Sequence, residues 1–211
     1  MGLICLQGGR EFHAECREMD AFLLDAARGG PVVIAPLASK RGFEWDTTGA
    51  DGVRHFTGLG ANDVTVADPD APADAIRRAA LLVLPGGSPR RLRDALLDTA
   101  AGAAVRDAAQ DDDRVVMGAS AGAMVLCAWT VLPEGRPEVA NGLGVVADFA
   151  VLPHYRGPNA AWEDLLQPKG VDLLGIPECS GVLIDGENVT AAGARAPTLI
   201  TADGRDELAV P

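Results

Sequence analysis

The sequence has few of the residues that bind nucleic acid and no segment suited to a membrane. Its 211 residues include 18 Lys and Arg against 30 Asp and Glu, a formal net charge of −12. Because phosphate binding depends on clustered basic side chains, this balance argues against a nucleic-acid partner. No apolar run is long enough to span a bilayer, so no membrane partner is expected.

Cysteine and secretory features are equally scarce. The four cysteines are scattered and form no CxxC pair, which predicts reduced, mostly buried thiols and neither a disulfide framework nor a metal site. They are Cys5, Cys16, Cys127 and Cys179. Residues 1–9 are typical of a buried strand that ends in glycines, without the basic start and cleavage site of a secretory signal. The expected location is therefore the cytoplasm.

The remaining composition is that of a globular protein with a substantial core, at 48% hydrophobic and 23% charged residues. Its length fits a single domain over residues 1–211. The sequence leaves the oligomeric state open, with a homodimer as one option.

Short apolar segments rich in β-branched residues alternate with longer helical segments. The predicted strands are residues 3–6, 32–35, 64–67, 81–85 and 115–117, and the predicted helices are residues 14–28, 73–80 and 90–111. This rhythm predicts an α/β fold, a three-layer sandwich with a mainly parallel central sheet. From Glu178 onward, strand-like pieces separated by turn residues predict C-terminal β-hairpins that extend or cap the sheet.

The strongest local motif is RVVMGASAGAMVL, residues 114–126, where a strand runs into GxSxG and then an apolar helix. This pattern is typical of a nucleophile elbow, a sharp turn that requires tiny neighbours on either side of the serine. The turn would place Ser120 at a helix N-terminus, with the Ala121 N–H as an oxyanion donor. Alone, the same motif also fits close packing or phosphate binding.

A second glycine turn, LPGGS at residues 84–88, follows the preceding strand. Because parallel strands end at the same sheet edge, the Gly87 N–H could supply a second oxyanion donor. Without the elbow, this segment would be an ordinary turn.

The three histidines allow a general base to be chosen by elimination. His13 lies in the loop or first turn after the opening strand, and His55 has no strand immediately before it. His154 follows the apolar run DFAVLP, as a loop residue beyond a strand should, so it is the preferred base. For the carboxylate that would orient it, Glu178 is the first choice, with Asp185 next and Glu163 and Asp164 behind.

The order serine, histidine, acid differs from that of α/β-hydrolases. It resembles the class I glutamine-amidotransferase-like (flavodoxin-like) fold, whose amidotransferases carry cysteine at the elbow and glutamate two residues after the histidine. Ser120 and Arg156 occupy those positions here, so amide transfer from glutamine is not expected.

Within that fold, the sequence resembles the serine peptidase family that contains dipeptidase E and cyanophycinase. The shared segments run through nearly the whole chain: LQGGREF, GLGA, LPGGS, GASAGAM, PHY and GIPECSGVL. The resemblance implies that Ser120 is the nucleophile and His154 the base. It also implies Gly87 and Ala121 as oxyanion donors and Glu178 as the third triad member.

The Pro-His pair at residues 153–154 is more similar to dipeptidase E, which removes N-terminal aspartate from dipeptides, than to cyanophycinase. The resemblance implies a small peptide substrate and an acyl-enzyme, with no metal and no cofactor. Guanidinium groups match a substrate carboxylate, and the candidates are Arg156, Arg90 and Arg91. Ser88 stands in the substrate-binding turn where the family usually has asparagine.

Two alternatives stay open. One is a cyanophycinase-like hydrolase of β-aspartyl peptides. The other is a noncatalytic binding module on the same fold.

Overall fold

A seven-stranded sheet with helices on both sides forms the centre of the computed structural model, which describes residues 1–210. The strands are β1 (Leu3–Gln7), β2 (Val32–Ile34), β3 (Val64–Val66), β4 (Leu81–Leu84), β5 (Val115–Ala119), β6 (Trp129–Leu132), β7 (Glu138–Asn141), β8 (Phe149–Leu152), β9 (Asp172–Gly175), β10 (Ser180–Asp185), β11 (Asn188–Gly193), β12 (Thr198–Ile200) and β13 (Arg205–Glu207). The α-helices are α1 (Arg17–Ala26), α2 (Phe43–Gly58), α3 (Pro72–Arg78), α4 (Pro89–Leu96), α5 (Ala100–Gln110), α6 (Ala121–Leu126) and α7 (Ala160–Leu166).

The strand order of the central sheet is β11-β10-β1-β5-β4-β2-β3. Strands β1 to β5 are parallel to one another, and β10 and β11 add an antiparallel hairpin at one edge. The predicted mainly parallel sheet of an α/β fold is therefore confirmed. Because parallel strands share one carboxyl edge, the segments after β1, β4 and β5 meet there.

Both faces of the inner parallel strands β1, β2, β4 and β5 are buried, in agreement with their uniformly apolar sequences, whereas Thr65 and Val66 of the edge strand β3 are exposed. Alternate side chains of each strand enter different clusters: Ile4 and Val116 pack in one, and Cys5 and Met117 in the other. Helix α1 covers the second face, where Leu23 is fully buried. Since successive strand side chains point to opposite faces, this division follows directly from strand geometry.

A second sheet of four strands, in the order β13-β12-β9-β8, lies outside the central one. Strands β8 and β9 are parallel, and β12 and β13 form an antiparallel hairpin. The sequence predicted that the TLITA segment at residues 198–202 would extend or cap the main sheet. The hairpin itself is present, but β12 pairs with β9 and so does not extend the central sheet. Only the first hairpin, β10–β11, extends the central sheet.

The predicted helix over residues 90–111 is two helices, α4 and α5. Asp98 between them adopts a positive φ of 56°, which a continuing helix does not allow. Thr99 then begins α5, because its hydroxyl accepts the Gly102 N–H at 3.1 Å.

The longest helix, α2, was not predicted. Its two internal glycines weaken helix propensity, but they face neighbouring strands. A Cβ at Gly49 would lie 2.8 Å from the Val66 side chain, and one at Gly52 would lie 2.9 Å from Ile34. These glycines therefore allow close packing of the helix on the sheet.

The four cysteines are free and buried, as predicted. Burial raises the pKa of Cys127 to about 12, so this thiol stays protonated at neutral pH.

Within residues 1–210, no helix combines the length and apolar character needed to cross a membrane.

A buried hydrogen bond joins α1 to α2. His55 Nε2 lies 2.7 Å from Asp20 Oδ2, and the Asp20 side chain is fully inaccessible to solvent. Burial raises the pKa of Asp20, while the hydrogen bond to His55 opposes that shift. The rings of Phe12 and Phe56 surround the imidazole, with centroids 5.7 and 5.3 Å away. His55 is thus a buried core residue.

Replacing Asp20 with alanine should destabilise the fold by about 1–3 kcal/mol, because it leaves a buried imidazole without its hydrogen-bond partner. Asp25→Ala is the matched control, since Asp25 is exposed on the same helix. Urea unfolding followed by circular dichroism measures both variants. Equal stability of the two variants would show that the pair contributes nothing.

Candidate active site

Ser120 lies in the turn between β5 and α6, at the carboxyl edge of the central sheet. Its backbone angles, φ 48° and ψ −108°, are far from those of either neighbouring element. The Ser120 N–H donates to Gln7 O at 2.8 Å, which ties the turn to the end of β1. The predicted elbow is therefore present, with Ser120 at the N-cap position of α6.

The glycines on either side of Ser120 have no room for a side chain. A Cβ at Gly118 would stand 2.6 Å from the Gly122 carbonyl carbon, and one at Gly122 would stand 2.1 Å from Leu84 O. The strand, the turn and the start of α6 are packed backbone to backbone. This is the steric reason for the GxSxG spacing.

His154 reaches the same edge from the second sheet, two residues after β8 ends. Its N–H donates to Gly8 O at 2.8 Å, and its φ is 52°. The imidazole lies against Gly9, where a Cβ would come within 2.3 Å of the ring. The end of β1 therefore fixes the position of both Ser120 and His154.

Three side chains form a continuous hydrogen-bonded chain. Ser120 Oγ lies 2.9 Å from His154 Nε2, and His154 Nδ1 lies 3.1 Å from Glu178 Oε1. Such an arrangement can pass the hydroxyl proton to the imidazole while the oxygen attacks a carbonyl carbon. The structure brings together the three residues that the sequence predicted for this chemistry.

Glu178 is held as a carboxylate. The hydrogen bond from His154 lowers its pKa, partial desolvation opposes this, and the charges of His154, Arg156 and Arg10 lower the pKa further. An ionised Glu178 favours the tautomer with the proton on Nδ1, which leaves Nε2 free to accept the serine proton.

The other carboxylates considered from the sequence lie elsewhere. Asp185 ends β10, and this strand runs from Glu178 toward the opposite edge of the sheet. Glu163 pairs with Arg205 at 2.5 Å. Asp164 lines a separate cavity beside Asp203 and Arg205. Among the described residues, Glu178 is the carboxylate hydrogen-bonded to His154.

The backbone N–H groups of Gly87 and Ala121 have no hydrogen-bond partner within residues 1–210. Gly87 follows β4, which lies beside β5 in the sheet, and Ala121 begins α6. The Glu11 carboxylate accepts the Gly86 N–H at 2.6 Å and so holds the glycine turn. Sequence reasoning missed Glu11, although it follows directly on the conspicuous GGR segment. The oxyanion role of the two free N–H groups stays a prediction.

Three of the candidate substrate-binding residues lie at the start of α4, and the fourth, Arg156, lies beside Glu178. The Ser88 hydroxyl donates to Glu134, and Arg90 pairs with Glu138 at 2.8 Å. Arg91 donates to Ala38 O at 2.7 Å. Their binding role stays a prediction, since carboxylates or backbone already engage these groups.

Two guanidinium groups lie beside Glu178. Arg156 Nη2 is 3.8 Å from Glu178 Oε1, and Arg10 Nη1 is 3.9 Å from Glu178 Oε2. The Arg156 side chain is 81% exposed and is therefore free to turn toward a ligand. Arg10 was missed from the sequence, although it directly follows the two glycines that come after β1. A cluster of His13, Glu15 and Cys179 near Arg10 has the ligand types of a metal site.

Comparisons with known proteins bear on the family and the fold. The sequence model of peptidase family S51 matches residues 3–192. A crystal structure of a peptidase from an acI-B1 Actinobacterium is 22% identical, with a TM-score of 0.85 over 100% of this chain and 95% of that one. A putative peptidase E protein from Listeria monocytogenes EGD-e is 18% identical, with a TM-score of 0.64 over 92% of this chain and 100% of that one. No curated protein matches the chain.

Substituting Gly9 with alanine should abolish the alignment of His154, because the new methyl group would occupy the position of the ring. We expect a loss of activity of at least about 10²-fold, the range of a misplaced catalytic group. Steady-state kinetics on a peptide substrate measures it.

Gly60→Ala is the matched control. Gly60 also has a positive φ, 101° against 119° at Gly9, but nothing lies within 4 Å of its Cβ position. It therefore tests backbone strain without the steric conflict. If both variants lost the same activity, the contact with the imidazole would not be the cause.

Proposed function

The chain belongs to peptidase family S51, and from this membership and the site geometry we propose that it hydrolyses short peptides through an acyl-enzyme on Ser120. Family membership supports a serine-type peptidase. The single observation that carries the mechanism is the hydrogen-bonded series from Ser120 Oγ to His154 to Glu178.

In the first half-reaction, His154 Nε2 takes the proton of the Ser120 hydroxyl while Oγ bonds to the scissile carbonyl carbon. The carbonyl oxygen becomes an oxyanion, which the N–H groups of Gly87 and Ala121 are proposed to stabilise. Collapse of this intermediate breaks the C–N bond, and His154 gives its proton to the leaving amine. The product is an ester on Ser120.

In the second half-reaction, water replaces the amine. His154 removes a proton from water while the water oxygen bonds to the ester carbonyl carbon. The bond between that carbon and Ser120 Oγ then breaks, Oγ takes the proton back from His154, and the acyl group leaves as a carboxylic acid. Glu178 stabilises the imidazolium that forms in both halves, since its carboxylate faces Nδ1. The site needs no metal or cofactor for these steps.

We further propose dipeptides with an N-terminal aspartate as the substrate. The support is the pair of guanidinium groups beside Glu178, because a planar guanidinium matches a carboxylate in two parallel hydrogen bonds. Arg156 is the preferred partner, since its side chain is exposed and its guanidinium lies 3.8 Å from Glu178. These cations are local, in a chain whose net charge is −12.

A fluorophosphonate should label the protein once, on Ser120, and Ser120→Ala should remove both the label and hydrolysis. We expect turnover to fall by at least about 10⁴-fold, because the nucleophile itself is lost. Ser39→Ala is the control, since the Ser39 hydroxyl contacts Thr48 and should leave labelling intact. Absence of any label on folded wild-type protein would instead support the noncatalytic binding module.

Asp-Leu should be cleaved faster than Ala-Leu, and faster than the β-aspartyl peptide β-Asp-Arg. Arg156→Ala should raise KM for Asp-Leu by about 10- to 100-fold, the value of a lost charge-assisted pair, while Ala-Leu is little affected. Arg77→Ala serves as the control, because Arg77 pairs with Asp74 on α3. Preferred cleavage of β-Asp-Arg would establish the cyanophycinase-like alternative.

A further inference from the structure

Three side chains that bind metals converge beside the active site but take no part in the proposed reaction. One ring nitrogen of His13, a Glu15 carboxylate oxygen and Cys179 Sγ all lie within 4.8 Å of one another. His13 Nδ1 lies 3.2 Å from Glu15 Oε2. We name this group the His13 cluster.

The backbone brings these residues together from distant parts of the chain. His13 and Glu15 lie in the loop and the 3₁₀ turn between β1 and α1. Cys179 lies in the turn before β10, where its N–H donates to Gly9 O at 2.9 Å. Because Glu15 and Cys179 are far apart in the sequence, the cluster could not be predicted from a ligand-spacing motif.

The three donor atoms are a nitrogen, an oxygen and a sulfur, the set that zinc accepts in proteins. With Zn–N and Zn–O bonds of about 2.0–2.2 Å and a Zn–S bond of about 2.3 Å, a tetrahedral site places its ligand atoms roughly 3.3–3.8 Å apart. The present spread of up to 4.8 Å needs only small side-chain rotations to reach that size.

From this geometry we propose that the His13 cluster binds one Zn²⁺ ion through His13 Nδ1, the Glu15 carboxylate and the Cys179 thiolate. The fourth position is left for water. Binding releases the thiol proton to solvent, and one thiolate with one carboxylate then balances the charge of the ion.

The surroundings suit entry and retention of an ion. The side chains of His13 and Glu15 are 41% and 58% exposed, whereas Cys179 is buried. An ion can thus approach from solvent and meet the sulfur at the inner end. The contact that it would replace is weak, since His13 Nδ1 accepts the Glu15 N–H at 3.5 Å.

Cys16 supports the site from the buried side. Its thiol donates to Arg10 O at 3.3 Å, the same carbonyl oxygen that the Cys179 thiol approaches at 3.9 Å. Cys16 can therefore keep this hydrogen bond when the Cys179 sulfur turns to a metal ion.

Cobalt(II) is the probe that tests the site without an activity assay. Metal-free protein, prepared with a chelator, is titrated with Co²⁺, and zinc is then added in competition. We expect one equivalent to give a thiolate-to-cobalt charge-transfer band in the near ultraviolet, with visible absorption of a tetrahedral site, and zinc to abolish both. Absence of the charge-transfer band at one equivalent would overturn the proposal.

Three variants identify the ligands. Cys179→Ser should remove the charge-transfer band, and Glu15→Gln and His13→Asn should each weaken Co²⁺ binding at least tenfold. Asparagine keeps a side-chain cap for the 3₁₀ turn, and Glu15 is exposed, so these two variants should fold. Circular dichroism checks all three.

Cys127→Ser is the matched control, because Cys127 is a buried cysteine whose contact is to Ala123 O. It should leave the cobalt spectrum unchanged. A band that survives Cys179→Ser, or affinity unchanged in both Glu15→Gln and His13→Asn, would contradict the assigned ligands. None of these results depends on whether Ser120 is a nucleophile.

Discussion

The backbone of Ser120 is held in a conformation, φ 48° and ψ −108°, that non-glycine residues rarely adopt. Such a conformation costs on the order of 1–3 kcal/mol and persists only where the surroundings enforce it. Here the enforcement is the close packing of Gly118 and Gly122 and the hydrogen bond from the Ser120 N–H to Gln7 O. The strain leaves the hydroxyl at the sheet edge and the first N–H groups of α6 free, which an ordinary strand-to-helix connection would not do.

The segment that directly follows β1 positions the other two members of the hydrogen-bonded series, His154 and Glu178. Gly8 O accepts the His154 N–H, Gly9 leaves space for the imidazole, and Gly9 O accepts the Cys179 N–H next to Glu178. One short segment therefore positions all three members of the series, although they come from β5, the second sheet and the turn before β10. This common support explains how residues so distant in the chain keep hydrogen-bonding distances of 2.9 and 3.1 Å.

The parts of this account that depend on local patterns were predictable from the sequence. The uniformly apolar strands indicated a mainly parallel sheet with a buried centre, and the glycines two residues before and after Ser120 indicated the elbow. The unpredicted parts depend on tertiary packing. Helix α2 contains glycines that disfavour a helix locally and are explained only by the strands beneath them. The second sheet depends on pairing between β9 and β12. The roles of Arg10, Glu11 and the His13 cluster depend on contacts that form only when β1 and β10 pair in the folded protein.

The central claim is that Ser120 attacks a carbonyl carbon while Gly87 and Ala121 receive the resulting oxyanion. A crystal structure of the protein reacted with a peptide boronic acid tests this most directly, because boron forms a stable tetrahedral adduct with an activated serine. We expect a bond from boron to Ser120 Oγ, with one boronate oxygen at hydrogen-bonding distance from both N–H groups. An unreacted Ser120, or an adduct whose oxygens all point away from those two groups, would contradict it.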